Sequence, residues 1–234
     1  MISIIFPSRA RPDMLRKCGE LLFEKAVRNI EIVVWFDDDD PMLKQNLQVV
    51  RDFNEKGWNF LYHIGNHGKG YADNHRMIEK CASLAKGDIL MQYNDDMEME
   101  TQGWDEIYTQ AIGNKLIVAS ARITTPDEGR NMGFRFSCPT IPLKLYNLCG
   151  MFCLGENPSV DRCWEAFAHH FPCEVQTEIS IYHKHAGTGD EKAVRARQEF
   201  YDVFKKEVDQ RFNEFDVIGK YFTYLVKKKL KEGG

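Results

Sequence analysis

Apolar and polar positions in the first hundred residues switch between two spacings. Short runs rich in apolar residues, Ile2 to Phe6, Ile30 to Phe36, Trp58 to Ile64 and Asp88 to Tyr93, read as strands, the first two as buried ones. Between them, Arg11 to about Val27, Met42 to Lys56 and Tyr71 to Leu84 carry helical spacing, and Pro12 stands where a first helical turn tolerates it. Strands and helices in alternation predict an α/β chain with a mostly parallel, Rossmann-like sheet flanked by helices. In such sheets ligands bind beyond the carboxyl ends of the strands. The polar chemistry gathers there: Pro7-Ser8-Arg9 after the first run and Asp37 to Asp40 after the second. Gly65-Asn66-His67-Gly68-Lys69-Gly70 follows the third, and Asn94-Asp95-Asp96 the fourth.

The second half is less regular. Gln102-Gly103-Trp104 opens a short helix, Leu116 to Ala121 reads as a strand, Val160 to His170 as a helix and Val175 to Tyr182 as a strand. Thr124 to Gly133 reads as a polar loop, long enough to be a lid or an acceptor loop. From Asp190 the pattern is helical almost to the end, with Gly219 expected to kink or break it. Tyr201, Val208, Phe215 and Phe222 recur every seven residues, and Phe204, Ile218 and Leu225 share a second such register. A stripe of this kind packs on its own domain or forms the seam of a homodimer through the C-terminal helix. The expected division is a catalytic domain over residues 1–188 and a C-terminal helical extension over 189–234.

Composition narrows the function classes. A chain of 234 residues supports one sizeable core but hardly two full domains. A net charge of -4 gives no general nucleic-acid surface, and Lys227-Lys228-Lys229-Leu230-Lys231 reads as a solvated helix end. No apolar run approaches the roughly 20 residues of a membrane span, and Met1 to Phe6 lacks the length and basic leader of an export signal. The seven cysteines are therefore expected as reduced thiols and the chain as cytoplasmic. Cys149 and Cys153 are four apart with no Cys-x-x-Cys pair beside them, which disfavours zinc.

Two adjacent carboxylates after a buried strand, Asp95 and Asp96, are hard oxygen ligands suited to Mg²⁺ or Mn²⁺, ions that also take phosphate oxygens. The competing reading is a helix N-cap. Asp37 or Asp38 can accept a hydrogen bond from a base N–H, which favours uracil or thymine, while Asp40 is assigned to capping the next helix.

The motifs Ile2-Ser3-Ile4-Ile5-Phe6-Pro7-Ser8-Arg9, Ala72-Asp73-Asn74, Ala85-Lys86-Gly87-Asp88, Asn94-Asp95-Asp96 and Gln102-Gly103-Trp104 come in a fixed order. In that order they resemble family 2 glycosyltransferases with the GT-A fold, over residues 2 to about 110 and onward to 187. The departures are specific. Asp73 replaces the family's Arg, so a phosphate contact is missing unless Lys69 or Arg76 supplies it. The helix after Asn74 is about a turn longer, and Asn94 replaces the first Asp of the Asp-x-Asp turn.

The resemblance implies transfer of a sugar, UDP-linked by preference, from a nucleoside diphosphate to an acceptor hydroxyl, with inversion. It implies Mn²⁺ or Mg²⁺ as cofactor, with Asp96 as direct ligand and Asp95 toward the ribose or a metal-bound water. His183 or His185, alternating on the strand that closes the domain, adds a second ligand, His183 being preferred. Asp161, in Val160-Asp161-Arg162-Cys163-Trp164, is the implied base, with Glu156 as the fallback. Pro7, Ser8, Arg9, Asp37, Asp38, Lys69, Asn74, Arg76, Asn94 and Asp95 are the implied donor contacts. The acceptor stays open between a glycan, a protein, a lipid-linked sugar and a modified DNA base. The last follows compact viral and phage members, for which the host cytoplasm would be the location. Two rivals are a non-catalytic nucleotide-sugar or carbohydrate-binding module, which needs no base, and a sugar nucleotidylyltransferase. The latter should carry a Gly-rich basic loop where Pro7-Ser8-Arg9-Ala10-Arg11 has no glycine.

Overall fold

The apolar runs of the first half form four parallel strands. In the computed structural model they are β1 (Ile2–Ser8), β2 (Ile30–Asp37), β3 (Asn59–Gly65) and β4 (Ile89–Gln92), separated by α1 (Pro12–Lys25), α2 (Leu43–Glu55) and α3 (Asn74–Leu84). The structure describes residues 1–125, 131–150, 152, 160–184, 191, 195, 198–199, 202 and 208–232. Every position of β2 is buried, as expected for an interior parallel strand covered on both faces. The pairings Ile2↔Ile30, Ile2↔Ile89 and Glu31↔Asn59 bring the carboxyl ends of all four strands to one edge.

A buried carboxylate fixes the opposite edge. Glu31 accepts hydrogen bonds from Ser3 Oγ (2.5 Å), from the backbone N–H groups of Lys86 and Gly87, and from Asn59 Nδ2 (3.3 Å). It ties the entry of β4 to β1 and β2. A Cβ on Gly87 would stand 2.5 Å from Ser3 Oγ and 2.7 Å from the Met1 carbonyl oxygen, so only glycine fits this approach.

The second half changes the sheet's character. It contains β5 (Met97–Met99), α4 (Trp104–Ile112), β6 (Val118–Thr124), β7 (Asn131–Pro142), α5 (Leu143–Cys149), α6 (Val160–His170), β8 (Glu174–His183) and α7 (Val208–Lys231). The eight strands lie in the order β3-β2-β1-β4-β7-β6-β8-β5. β7 runs antiparallel to both β4 and β6, β8 runs parallel to β6, and β5 closes the edge antiparallel to β8. The result is a mixed sheet.

Two expectations fail here. The polar loop expected over Thr124 to Gly133 is shorter, because Thr124 ends β6 and Asn131 to Gly133 open β7; residues 126–130 lie outside those described. Pro139 and Gly133 mask β7 in the sequence. They are tolerated because the register breaks there: Ala119 pairs with Thr140 but Ala121 with Arg135. α7, in turn, runs through Gly219 without a break.

Gly219 has a packing reason instead. A Cβ there would lie 2.5 Å from the Ala166 carbonyl oxygen of α6. The close crossing lets Phe222 meet Trp164 and Phe167, with ring centroids 5.5 and 6.3 Å apart. Phe215 and Phe222 of the heptad stripe are buried within the chain, so they are unavailable to a dimer seam; Tyr201 and Phe204 lie outside the described residues. Gly219→Ala is expected to destabilise the fold by about 1–3 kcal/mol through overpacking. Helix propensity alone would give about 1 kcal/mol in the other direction. Urea unfolding decides between them, and a more stable variant would show that the crossing is not tight.

Cys18, Cys81, Cys138, Cys149, Cys163 and Cys173 are free and buried; Cys153 lies outside the described residues. Among the described residues, no helix is long and apolar enough to cross a membrane.

Candidate functional site

The acidic turn after β4 is shaped by backbone bonds. The Met97 N–H donates to the Asn94 carbonyl at 3.2 Å, which reverses the chain into β5. β5 then pairs with the end of β8, Met97 opposite His183. This pairing brings two sequence-predicted metal residues together: His183 Nε2 lies 3.3 Å from Asp96 Oδ1. Their side chains are only 13% and 11% exposed, and the Lys184 N–H donates to the Asp96 carbonyl at 3.0 Å. Burial pushes the Asp96 carboxyl upward, but the hydrogen bond and charge of His183, with Arg11 behind, more than offset it and hold Asp96 below its ordinary value.

Asp95 points the other way. Its side chain is fully buried, accepts from Ser8 Oγ at 2.6 Å, and is ion-paired to Arg11 at 2.5 Å. Burial pushes its carboxyl up to about 6, against the lowering effects of Arg11 and Ser8, and the neighbouring Asp96 charge adds to the rise. From an ordinary 3.8 to about 6, the folded state therefore keeps a proton that the unfolded chain has lost. In metal-free protein this group is expected to lower stability as pH rises through that window, by at most about 1.4 kcal/mol per pH unit. Asp95→Asn is expected to remove that component of the slope in denaturant melts across the window. An unchanged slope would show that Asp95 ionises normally.

Beside this turn, the ends of β1, β2 and β3 share a charged network. Asp37 is buried and accepts from Trp35 Nε1 (2.9 Å) and Arg9 (3.2 Å), and it pairs with His67 Nδ1 (2.7 Å). Arg9 also holds Asp39 at 2.5 Å. Asp37, Asp39 and His67 offer ligand atoms within 4.8 Å of one another, a spacing that could hold a cation. Arg9 already bridges the two carboxylates. Asp38 is exposed, its N–H bound to the Gly65 carbonyl at 2.8 Å. Asp40 accepts from the N–H groups of Ala10 and Met42 and from Asn46 Nδ2, so it ties the loop after β1 to the start of α2. Ala10 is held at φ 56, a left-handed conformation that is costly for a residue with a Cβ.

Pro7 is half-buried in β1 opposite Trp35. Arg76 packs over the Trp35 ring at 4.7 Å and donates to the Asn66 carbonyl at 2.7 Å. Lys69 is exposed in the same loop, its N–H held by Asp73 Oδ2 at 2.8 Å, and Asn74 opens α3. All the candidate donor contacts thus belong to the loops and strand ends of one sheet edge.

Asp161 lies in the first turn of α6, partly exposed, and burial raises its pKa against the opposing Arg162 charge. It and Asp96 both act on the buried Cys138 thiol of β7, whose sulfur is 3.0 Å from Met97 Sδ. The helix that carries Asp161 packs against β7. Glu156 and His185 lie outside the described residues. Arg11, Trp35, Asp39 and His67 also belong to this edge, although no sequence motif marks them as site residues. Arg11, three residues after β1 and directly before Pro12, was the one with a local signal.

No protein-family model matches the chain, and no curated protein matches it. Solved structures do. TarS 1–349 of S. aureus in complex with UDP aligns with TM-score 0.59 and 13% identity, over 78% of this chain and 60% of that one. The chain thus spans less than two thirds of that protein. The mannosyltransferase PcManGT of Pyrobaculum calidifontis, in complex with GDP-Man and Mn²⁺, aligns with TM-score 0.57 and 10% identity, over 100% and 88%. Glucosyl-3-phosphoglycerate synthase of Mycobacterium tuberculosis, in complex with Mn²⁺, UDP and glucosyl-3-phosphoglycerate, aligns with TM-score 0.56 and 9% identity, over 88% and 79%. The fold is that of the GT-A glycosyltransferases.

Proposed function

We propose that this chain is a glycosyltransferase of the family 2 type, moving a sugar from a nucleoside diphosphate, UDP by preference, to an acceptor hydroxyl with inversion. The observation that carries the reading is the meeting of Asp96 and His183, from separate segments, at the carboxyl edge of a GT-A sheet. The three solved relatives, bound to UDP or GDP-Man and two of them with Mn²⁺, support it.

A carboxylate and an imidazole, little exposed and in contact, suit Mn²⁺ or Mg²⁺, which take few protein ligands and complete their shell with phosphate oxygens and water. Asp96 and His183 would hold the ion. When bound, it supplies Lewis-acid neutralisation of the charge developing on the leaving diphosphate.

The chain's own residues divide the remaining work. Asp95, locked by Ser8 and Arg11, positions the turn that presents Asp96. Arg9, Asp37, Asp38 and His67 form the floor on which the base rests. Pro7, Asn94, Asn74, Lys69 and Arg76 frame the ribose and diphosphate. Asp161, with its raised pKa, takes the proton from the acceptor hydroxyl as that oxygen attacks the anomeric carbon. Residues 1–188 carry this chemistry and 189–234 form the helical extension. Incubation with a panel of UDP- and GDP-sugars and Mn²⁺ tests the reading. Release of nucleoside diphosphate from at least one donor is expected, and none from any donor, with or without an acceptor panel of glycans and DNA, would reject it.

A further inference from the structure

The opposite edge of the sheet holds an open cavity that the reaction does not use. It has a volume of ≈ 710 Å³ and is lined by Asp88, Lys115, Lys144, Asn147 and Lys229 among others. Asp88 precedes β4, whereas the acidic turn follows it, and five residues of strand put about 17 Å between Asp88 and Tyr93. A ligand in this cavity cannot share the site at Asp96.

Three lysines stand in its lining. Lys115 follows α4, Lys144 sits in the first turn of α5, and Lys229 in the last turn of α7. Lys229 is turned inward and donates to the Asn147 carbonyl at 3.0 Å, while Lys227, Lys228 and Lys231 are exposed. Near helix C-termini, Lys115 and Lys229 have an alternative use in offsetting the helix dipole. Lys144 does not, since a cation at a helix start opposes the dipole. Asp88 is the one carboxylate among the lining residues, and it is paired with the N-terminal ammonium at 3.1 Å. Among the described lining residues three lysines therefore stand against one carboxylate, and the volume is in the range of small-molecule sites.

We propose that this cavity binds a phosphorylated small molecule, of sugar-phosphate size, with Lys115, Lys144 and Lys229 as the phosphate contacts. The full chain in EDTA, titrated calorimetrically with inorganic pyrophosphate and with glucose 6-phosphate, tests it, and EDTA keeps the metal-dependent edge out of the measurement. Saturable binding is expected to wild type and equally to Asp96→Ala. It is expected to weaken at least tenfold in K115E/K144E, two exposed positions, with K115Q/K144Q as the milder variant should the charge reversal impair folding. Unphosphorylated glucose is expected not to bind. No saturable binding to wild type, equal affinity in both lysine variants, binding of glucose as tight as its phosphate, or loss of binding in Asp96→Ala would each overturn the proposal. None of these outcomes depends on whether the chain transfers sugar.

Discussion

Asp96→Ala is expected to lower sugar transfer by about 10²–10³-fold, the usual cost of removing one preorganised electrostatic contact at a developing charge. The reason lies in how few groups can replace it. Asp95 is adjacent in sequence but is committed to Ser8 and Arg11, with a fully buried carboxylate. Asn94 carries no charge. Asp96, held below its ordinary pKa beside His183, is the anionic oxygen donor of the turn. The same substitution should abolish Mn²⁺-dependent UDP binding, and His183→Ala should weaken it in the same direction. Transfer by Asp96→Ala at the wild-type rate, measured as nucleoside diphosphate release, would move the metal elsewhere. The cluster of Asp37, Asp39 and His67 would be the next place to look.

Asp161→Asn is expected to leave UDP affinity unchanged and to reduce turnover by about 10²–10⁴-fold, the range of a lost general base. Burial raises the Asp161 pKa, so the wild-type rate should fall as pH drops through that raised value and the carboxylate is protonated. The Asn variant should lack this acidic limb. A variant that retains full turnover would assign the proton transfer to another group and would favour a reading in which Asp161 only charges the start of α6.

The parallel half of the fold was legible because its signals are local. A buried strand needs a continuous apolar run, and β1 and β2 supply one. The chemistry at their ends follows from the general rule for α/β sheets. α6 and β8 were visible for the same reason. β7 was hidden because its proline and glycine contradict strand patterning and are tolerated only at a register break. Gly219 misled for a related reason: its value lies in contact with Ala166, 53 positions away in the chain. The role of Asp37 was only half visible. A carboxylate after the second strand pointed to a base contact, but its hydrogen bonds to Trp35, Arg9 and His67 depend on three strand ends meeting. By contrast, Asp96 and His183 come together through the short β5–β8 pairing. No local pattern encodes that pairing: the adjacent carboxylates marked Asp96 in the sequence, but the resemblance alone brought His183 forward.

Calorimetric titration of UDP into the wild-type chain, with Mn²⁺ and again with EDTA, tests the donor site most directly. Saturable binding with Mn²⁺ that is lost in EDTA is expected. Absence of saturable binding of UDP, and of GDP, under both conditions would contradict it.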